Sequence, residues 1–271
     1  MPELPEVETT RRGLLPHLAG RQVTAVAVHE ARLRWPVESG LENRLVGQKL
    51  ETIDRRGKYL LFRFGSGTLV AHLGMSGSMR LAASNEEKRK HDHVEIFFGA
   101  YVCLRFHDPR RFGCLLWTEE TAEQHPLLIR LGVEPLSDDF NATYLFQASR
   151  HRSLPVKVLI MNAAIITGVG NIYANEALFM AGIHPRRPSS SLSLEECSRL
   201  IQEIRCVLEA SIQQGGSTLR DFVNGHGAPG YFQQTLKVYQ REGSECPRCG
   251  HCIMSDRMGQ RSSFFCGNCQ H

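Results

Sequence analysis

Short β-rich runs dominate the first half of this 271-residue chain. They include Tyr59–Phe64, Thr68–Leu73 and Tyr101–Phe106, and glycine-containing turns separate many of them. Strands of this length and spacing predict an antiparallel sandwich or barrel. A helix from Pro5 to about His17 is expected before them, because proline is tolerated in the first turn of a helix.

The hydrophobic spacing becomes helical from about residue 136. A helix from Asn171 to Met180 is expected to end at Gly182, and a longer helix is expected to begin after Ser193, which suits an N-cap. From about residue 236 the chain is rich in cysteine. The pattern therefore predicts three domains, which comprise residues 2–135, 136–235 and 236–271.

The composition is that of a folded protein, with 42% hydrophobic and 22% charged residues. It excludes a disordered chain, a collagen-like repeat and a coiled coil. The longest weakly charged stretch, Leu154–Gly170, contains Lys157 and is too short to span a bilayer. Residues 1–15 carry several charges and have no apolar run, so we expect a cytoplasmic protein without a membrane partner. The net charge of +4 permits a nucleic-acid partner.

Four cysteines near the C-terminus form two CxxC pairs. Cys246 and Cys249 make the first pair, and Cys266 and Cys269 make the second. This spacing predicts a structural site for one Zn²⁺ whose four sulfur ligands leave no open coordination position. Free or redox-active thiols are the alternative, and the nearby Cys252 and His251 are substitute ligands with a poorer spacing. Because about thirty residues bury little apolar surface, metal binding should supply the folding energy of this segment.

The N-terminus begins with Met1-Pro2-Glu3. A small residue such as Pro2 normally permits removal of the initiator Met1, which would expose a secondary amine. A terminal amine has a reference pKa of about 7.7–8.0, against about 10.4 for lysine, so more of it is neutral and nucleophilic at pH 7. A neutral amine can attack C1′ of a sugar, and Glu3 could then act as an acid or base on that sugar. The alternative is a helix start that happens to carry prolines and carboxylates.

Three turns carry further candidate residues. Lys58 closes a basic cluster at the entry to a strand, Met75 lies on a glycine-flanked turn, and Arg110 and Phe112 lie on another turn. Apolar side chains on such turns suit insertion between base steps of DNA. For each turn alone, the alternative is a solvated charge beside a core side chain.

Several motifs occur in one order along the chain, and together they resemble one family. They are PELPEVET, RRGKYL, HLGMSG, KHDHV, DPRRFG, GVGNIYANE and the two CxxC pairs. The set is similar to that of the bacterial formamidopyrimidine-DNA glycosylases, and it covers essentially the whole chain. The resemblance implies an α+β multidomain fold: an N-terminal antiparallel β-sandwich with an N-terminal helix, a helical helix–two-turn–helix domain, and a C-terminal zinc finger.

The resemblance also implies an activity and four catalytic residues. The enzyme would remove oxidised purines such as 8-oxoguanine and formamidopyrimidines from damaged double-stranded DNA. It would then cut the strand by β,δ-elimination and leave 3′- and 5′-phosphate ends, as a monomer and with no nucleotide cofactor. Pro2 matches the Schiff-base nucleophile and Glu3 the acid/base residue. Lys58 matches the proton donor in β-elimination, and Arg261 matches a residue linked to phosphate binding and δ-elimination.

Further residues match the DNA contacts of the family. Met75, Arg110 and Phe112 match the residues that fill the gap left by a flipped nucleotide, and Arg110 would pair with the orphaned cytosine. His91 and Asn171 match backbone contacts.

Other positions bear on the lesion pocket or depart from the family. Glu6 and the loop from Thr218 to Tyr231 match the surroundings of the damaged base. His151 stands where the family often has a lysine. Gln240 stands where a glycine is usual, and we expect only a local effect on that turn.

Two other functions fit part of the pattern. A related glycosylase for oxidised pyrimidines shares the N-terminal Pro-Glu and the zinc finger. A non-catalytic zinc-ribbon protein that binds DNA would keep the charge and the cysteines, and it would use Pro2 and Glu3 only as a helix start.

Overall fold

A computed structural model describes residues 1–216 and 235–271 of the protein. Among these residues, two compact units are distinguished by their internal contacts: residues 1–129 with 212–216, and residues 130–211 with 235–271. Within the described part of the chain, none of the helices combines the length and the apolar character needed to cross a membrane.

The first unit begins with helix α1, Leu4–Leu18, and is otherwise built mainly from β-strands. Val7, Leu14 and Leu18 on α1 are buried in the hydrophobic core of this unit. The helix starts one residue before the predicted Pro5, which lies in its first turn. The other elements are β1 (Val23–Val28), α2 (Leu41–Leu45), β2 (Leu50–Arg56), β3 (Tyr59–Phe64), β4 (Gly67–His72), β5 (Ser78–Ala83), β6 (Asp92–Phe98), β7 (Val102–His107), β8 (Cys114–Thr118) and a 3₁₀ turn, Ala122–Gln124.

The eight strands form two four-stranded antiparallel sheets. One sheet has the order β1-β6-β7-β5 and the other has the order β2-β3-β4-β8. Phe62 and Leu115 from one sheet and Phe98 and Phe106 from the other are buried in a single core. The predicted antiparallel β-sandwich is therefore confirmed.

A buried ionic network holds β5, β6 and β7 together. The two oxygens of Asp92 accept hydrogen bonds from Arg80 at 2.8 and 2.6 Å, and Asp92 also contacts Nδ1 of His107 at 2.9 Å. Arg105, on the middle strand β7, places its Nε 2.8 Å from a carboxylate oxygen of Glu95. Such groups are stable inside a protein only when they are paired, so the network fixes the ends of these strands in one arrangement.

The second unit combines helices with a two-stranded hairpin. Its elements are α3 (Ala142–Ser149), α4 (Val156–Ile160), α5 (Asn171–Ala181), a 3₁₀ turn (Ser189–Ser191), α6 (Leu194–Gln213, whose last two residues belong to the first unit), β9 (Met254–Met258) and β10 (Arg261–Phe265). As predicted, α5 ends at Gly182, whose φ of +71° is the left-handed conformation of a helix C-cap. Ser193 caps α6 by accepting a hydrogen bond from the backbone of Glu196 at 3.1 Å.

Gln240 lies in a left-handed turn before the hairpin. Its φ is +58°, a conformation that glycine adopts without strain and that other L-residues adopt at a cost. This left-handed conformation explains why a glycine is usual at this position in the family that the sequence resembles. The substitution leaves a local strain in this chain.

Replacing Gln240 with glycine should stabilise the second unit. The free energy of unfolding should rise by about 0.5–1 kcal/mol. Glycine removes the left-handed strain, but it also loses more backbone entropy on folding, which offsets part of the stabilisation. Gln202→Gly, within α6, is the matched control and should destabilise by about 1 kcal/mol. Urea denaturation of the three proteins measures both changes, and a loss of stability in Gln240→Gly would contradict the interpretation.

Candidate functional site

The N-terminus is held by the first turn of α1. Pro2 and Glu3 are buried, whereas Met1 is exposed. Glu3 and Glu6 form a capping box, in which the backbone N–H of Glu3 donates to Oε2 of Glu6 at 2.8 Å. This reciprocal bond fixes the backbone directly after Pro2.

Glu6, a predicted part of the lesion pocket, therefore also has a role in the helix cap. A side chain at Gly216 would come within 3.3 Å of Glu6, so the chain passes close to this carboxylate where the described residues end. Thr218 and Tyr231, the other two residues of the predicted pocket, lie outside the described residues.

A cavity of about 380 Å³ lies beside the N-terminal residue. It is lined by Met1, Arg34, His72, Gly74, Met75, Arg111 and Phe112. The structure thus brings the N-terminus together with two of the residues predicted to fill the gap in DNA, Met75 and Phe112. Phe112 is 43% exposed, which is unusual for a phenylalanine in a folded unit.

Two turns bring these side chains together through a close backbone contact. A Cβ atom on Gly74 would lie 2.5 Å from the backbone of both Phe112 and Gly113, and Gly74 has a φ of +66°. Only glycine permits this approach. Buried Asp108 shapes the second turn by accepting a hydrogen bond from the backbone N–H of Gly113 at 2.7 Å.

Arg110 lies on the same turn as Phe112. Its guanidinium carbon is 5.0 Å from the centroid of the Phe112 ring, which is a cation–π distance. The neighbouring Arg111 instead reaches Glu30, at 3.4 Å. The pair Arg110 and Phe112 therefore presents a planar cation and an aromatic ring side by side.

Lys58 lies in the turn between β2 and β3 and is half-buried. Its charge acts on His72, whose ring lies 4.8 Å from that of Tyr59, the residue after Lys58. Burial, followed by the charges of Lys58 and Arg34, lowers the pKa of His72 to about 4. His72 is therefore neutral near pH 7, and its Nδ1 accepts a hydrogen bond from the backbone of Gly74 at 3.0 Å.

Sequence reasoning missed His72 as a site residue. It stands in the run His72-Leu73-Gly74-Met75, of which only Met75 was predicted as a site residue. Its place directly before the glycine turn was the available signal.

His91 lies in a left-handed loop before β6. Its φ is +73°, and its ring centroid is 6.0 Å from those of His93 and His107. The next residue, Asp92, accepts a hydrogen bond from the backbone of Arg89 at 2.9 Å, so the buried ionic network fixes this loop. Burial and the charges of neighbouring groups, Lys90 first, lower the pKa of His91.

In the second unit, three side chains fix the strand that begins with Arg261. Nζ of Lys157 donates to the carbonyl oxygen of Ser262 at 2.8 Å, and Nδ2 of Asn171 donates to the same oxygen at 3.0 Å. Oδ1 of Asn175 accepts from the backbone of Phe264 at 2.8 Å. Asn171 thus contacts the strand that carries Arg261, and the roles of Lys157 and Asn175 were missed by sequence reasoning.

His151 follows Arg150, the C-cap of α3, is exposed, and has a φ of +37°. Its basic neighbours are directed to other groups. Arg150 stacks on Phe146 at 4.1 Å, and Arg152 donates to the carbonyl oxygen of Ala148.

The four cysteines of the two CxxC pairs converge on one point. Their sulfur atoms all lie within 4.8 Å of one another, with Cys249 and Cys266 at 3.5 Å and Cys246 and Cys269 at 3.9 Å. A tetrahedral Zn–S distance of about 2.3 Å requires S–S distances of about 3.8 Å. The four thiols therefore fit one structural Zn²⁺, and Cys252 is exposed and outside the group.

Comparison with known families and proteins agrees with this architecture. Residues 1–115 match the formamidopyrimidine-DNA glycosylase N-terminal domain, residues 131–223 match the H2TH domain of the same glycosylase, and residues 243–271 match a zinc finger found in FPG and IleRS. A formamidopyrimidine-DNA glycosylase of Methylococcus capsulatus is 56% identical over 100% of both chains.

Solved structures show the same fold. Wild-type Lactococcus lactis Fpg in complex with a DNA containing N7-benzyl-Fapy-dG has a TM-score of 0.91 and 33% identity, over 100% of both chains. The MutM (Fpg) protein of Thermus thermophilus has a TM-score of 0.87 and 42% identity, over 99% of this chain and 98% of that one. This chain therefore belongs to the formamidopyrimidine-DNA glycosylase family.

Proposed function

We propose that this protein excises oxidised purines, including 8-oxoguanine and formamidopyrimidines, from duplex DNA and then cuts the DNA strand as a lyase. The observation that carries the proposal is the cavity beside the N-terminus, which Met1, Met75 and Phe112 line together. The N-terminus, which would supply the nucleophile, is thus a neighbour of two side chains that would replace a flipped nucleotide.

The proposed nucleophile is the nitrogen of Pro2. While Met1 is attached, this nitrogen is an amide without a basic electron pair, so removal of Met1 is required. The freed amine would attack C1′ of the damaged nucleotide, and the base would leave with a proton. Opening of the sugar ring then gives an iminium ion between Pro2 and C1′. Glu3 would exchange protons with the sugar during these steps.

Two eliminations follow from the iminium ion. It acidifies the C2′ proton, and loss of this proton expels the 3′ phosphate. A second elimination expels the 5′ phosphate and leaves phosphate groups at both ends of the gap. Lys58 would supply a proton in the first elimination, and Arg261 would bind phosphate and assist the second.

Base extrusion needs a replacement for the lost stacking. Flipping a nucleotide costs a few kcal/mol. Phe112 would wedge into the stack, Met75 would fill the space, and Arg110 would donate hydrogen bonds to the orphaned cytosine. Glu6 with the loop from Thr218 to Tyr231 would surround the extruded base.

The remaining candidates would hold the DNA backbone. His91, Asn171 and His151 would contact phosphates, and we propose that the protein acts on DNA as a monomer. The zinc ion, when bound by the four cysteines, supplies folding energy to the hairpin and takes no part in bond chemistry.

A glycosylase for oxidised pyrimidines remains a second candidate, because it would share Pro2, Glu3 and the zinc finger. Duplexes with 8-oxoguanine opposite cytosine, compared with duplexes that contain thymine glycol, distinguish the two. We expect faster excision of 8-oxoguanine.

Retention of Met1 should abolish base excision. Two preparations of the same chain, with and without Met1, differ only in whether the Pro2 nitrogen is an amide or an amine. On a duplex with one 8-oxoguanine opposite cytosine, the form that retains Met1 should be at least about 100-fold slower, since the covalent route is lost. Gel analysis of the cut strand measures this difference and the phosphate ends.

Equal rates for the two forms would contradict the role of Pro2. Pro16→Ala in the processed protein is the matched control, because it changes an exposed proline in the last turn of α1 and leaves both the terminal amine and the first turn of the helix. It should excise at close to the normal rate.

Removal of zinc should unfold the segment of residues 243–271 and leave the β-sandwich folded. Cys249→Ser should lower the bound zinc from one equivalent and remove protection of the hairpin amides in hydrogen exchange, because a ligand is lost. Strand cutting should fall with it, since Arg261 loses its position. Cys206→Ser, an exposed cysteine elsewhere, should keep one zinc and full activity. One tightly bound zinc in Cys249→Ser would contradict the assignment of ligands.

A further inference from the structure

A loop between β1 and α2 projects two large side chains beside the cavity. The loop, residues 31–37, is closed by a hydrogen bond from the backbone N–H of Val37 to the carbonyl oxygen of Ala31 at 2.9 Å. Leu33 and Val37 are buried in the core of the sandwich, so the loop is anchored at both positions. Between these anchors, Arg34 and Trp35 are exposed.

Arg34 stacks on the Trp35 ring and faces the cavity. Its guanidinium carbon lies 4.7 Å from the centroid of the Trp35 ring, and its side chain lines the same cavity as Met1, Met75 and Phe112. Stacking holds one face of a guanidinium and leaves its N–H edges available to an oxyanion. Trp35 is 37% exposed although it is large and apolar. We interpret its ring as a support that holds the guanidinium of Arg34 in place.

The charges around the cavity favour an anion at Arg34. Arg32, two residues earlier, forms an ion pair with Glu30 at 2.6 Å, and Arg111 reaches the same carboxylate at 3.4 Å. Among the residues that the structure describes, Arg34 forms no ion pair. The charge of Arg34 lowers the pKa of the half-buried His72, so its positive field extends into the cavity.

We propose that Arg34, supported by the Trp35 ring, binds a phosphate of the damaged strand next to the nucleotide that Pro2 attacks. The inference rests on the proposed function, because it takes the cavity beside the N-terminus as the place of the reacting sugar. It adds a phosphate contact from a loop that carries none of the motifs of the sequence analysis. Arg34 is a positioning residue, since it would fix the sugar through the adjacent phosphate.

The salt dependence of binding tests this contact. Each phosphate that a protein neutralises on duplex DNA adds about 0.9 to the slope of log affinity against log salt. For a duplex with a stable abasic-site analogue, Arg34→Gln should lower the magnitude of that slope by about 0.9 and weaken binding about tenfold near 0.1 M salt. Arg32→Gln is the matched control in the same loop, and it should change neither quantity. Arg34→Lys should keep the slope and bind more weakly than the wild type, because a lysine keeps the charge but not the stacked geometry.

The DNA strand that Arg34 contacts can be identified by replacing single phosphates of the same duplex with neutral methylphosphonate linkages. At the contacted linkage, wild type and Arg34→Gln should bind equally well, because the charge pair is already lost. The proposal predicts this equality at a linkage that flanks the abasic analogue in the damaged strand.

An unchanged slope in Arg34→Gln would overturn the contact, and equality only at a linkage of the opposite strand would overturn the strand assignment. If the wild-type protein fails to bind the duplex at all, the proposed function fails together with the inference. Normal wild-type binding with an unchanged Arg34→Gln slope removes the inference alone.

Discussion

The capping box between Glu3 and Glu6 holds the N-terminus in one position. A chain terminus is normally mobile, and a mobile amine would not be held toward one atom of a bound sugar. Here the backbone after Pro2 is tied by the bond from Glu3 to Glu6, and helix α1 is packed into the core through Val7 and Leu14. The sandwich therefore provides rigid support for the catalytic group that we propose at the N-terminus.

The same principle of support from buried groups recurs in both units. In the first, Gly74 lets the turn of Met75 pack directly on the backbone of the turn that carries Phe112. In the second, Lys157 is only 1% exposed and is bound to Ser262 and Ser263, next to Arg261. Phe112 and Arg261 are exposed, whereas Gly74 and Lys157, which support them, are buried.

The sequence predicts the elements better than it predicts these supports. Strands β3, β4 and β7 and helix α5 follow from local patterns, because alternation, turn glycines and the C-cap at Gly182 are properties of neighbouring residues. Strands β2 and β5 were not predicted. The two CxxC pairs likewise carry their geometry in their spacing. Lys157 and Ser262 are far apart in the chain, so no local pattern predicts the hydrogen bond between the buried lysine and this carbonyl oxygen. The ionic network around Asp92 and the cavity position of Arg34 were not predictable for the same reason.

Trapping of the covalent intermediate shows directly whether the nitrogen of Pro2 is the nucleophile. The processed protein is incubated with a duplex containing one 8-oxoguanine opposite cytosine, borohydride is added, and the adduct is digested and mapped by mass spectrometry. We expect a stable adduct on the N-terminal peptide, attached through the nitrogen of Pro2. An adduct on Lys58 or another lysine, or strand cutting without any trapped adduct, would contradict it.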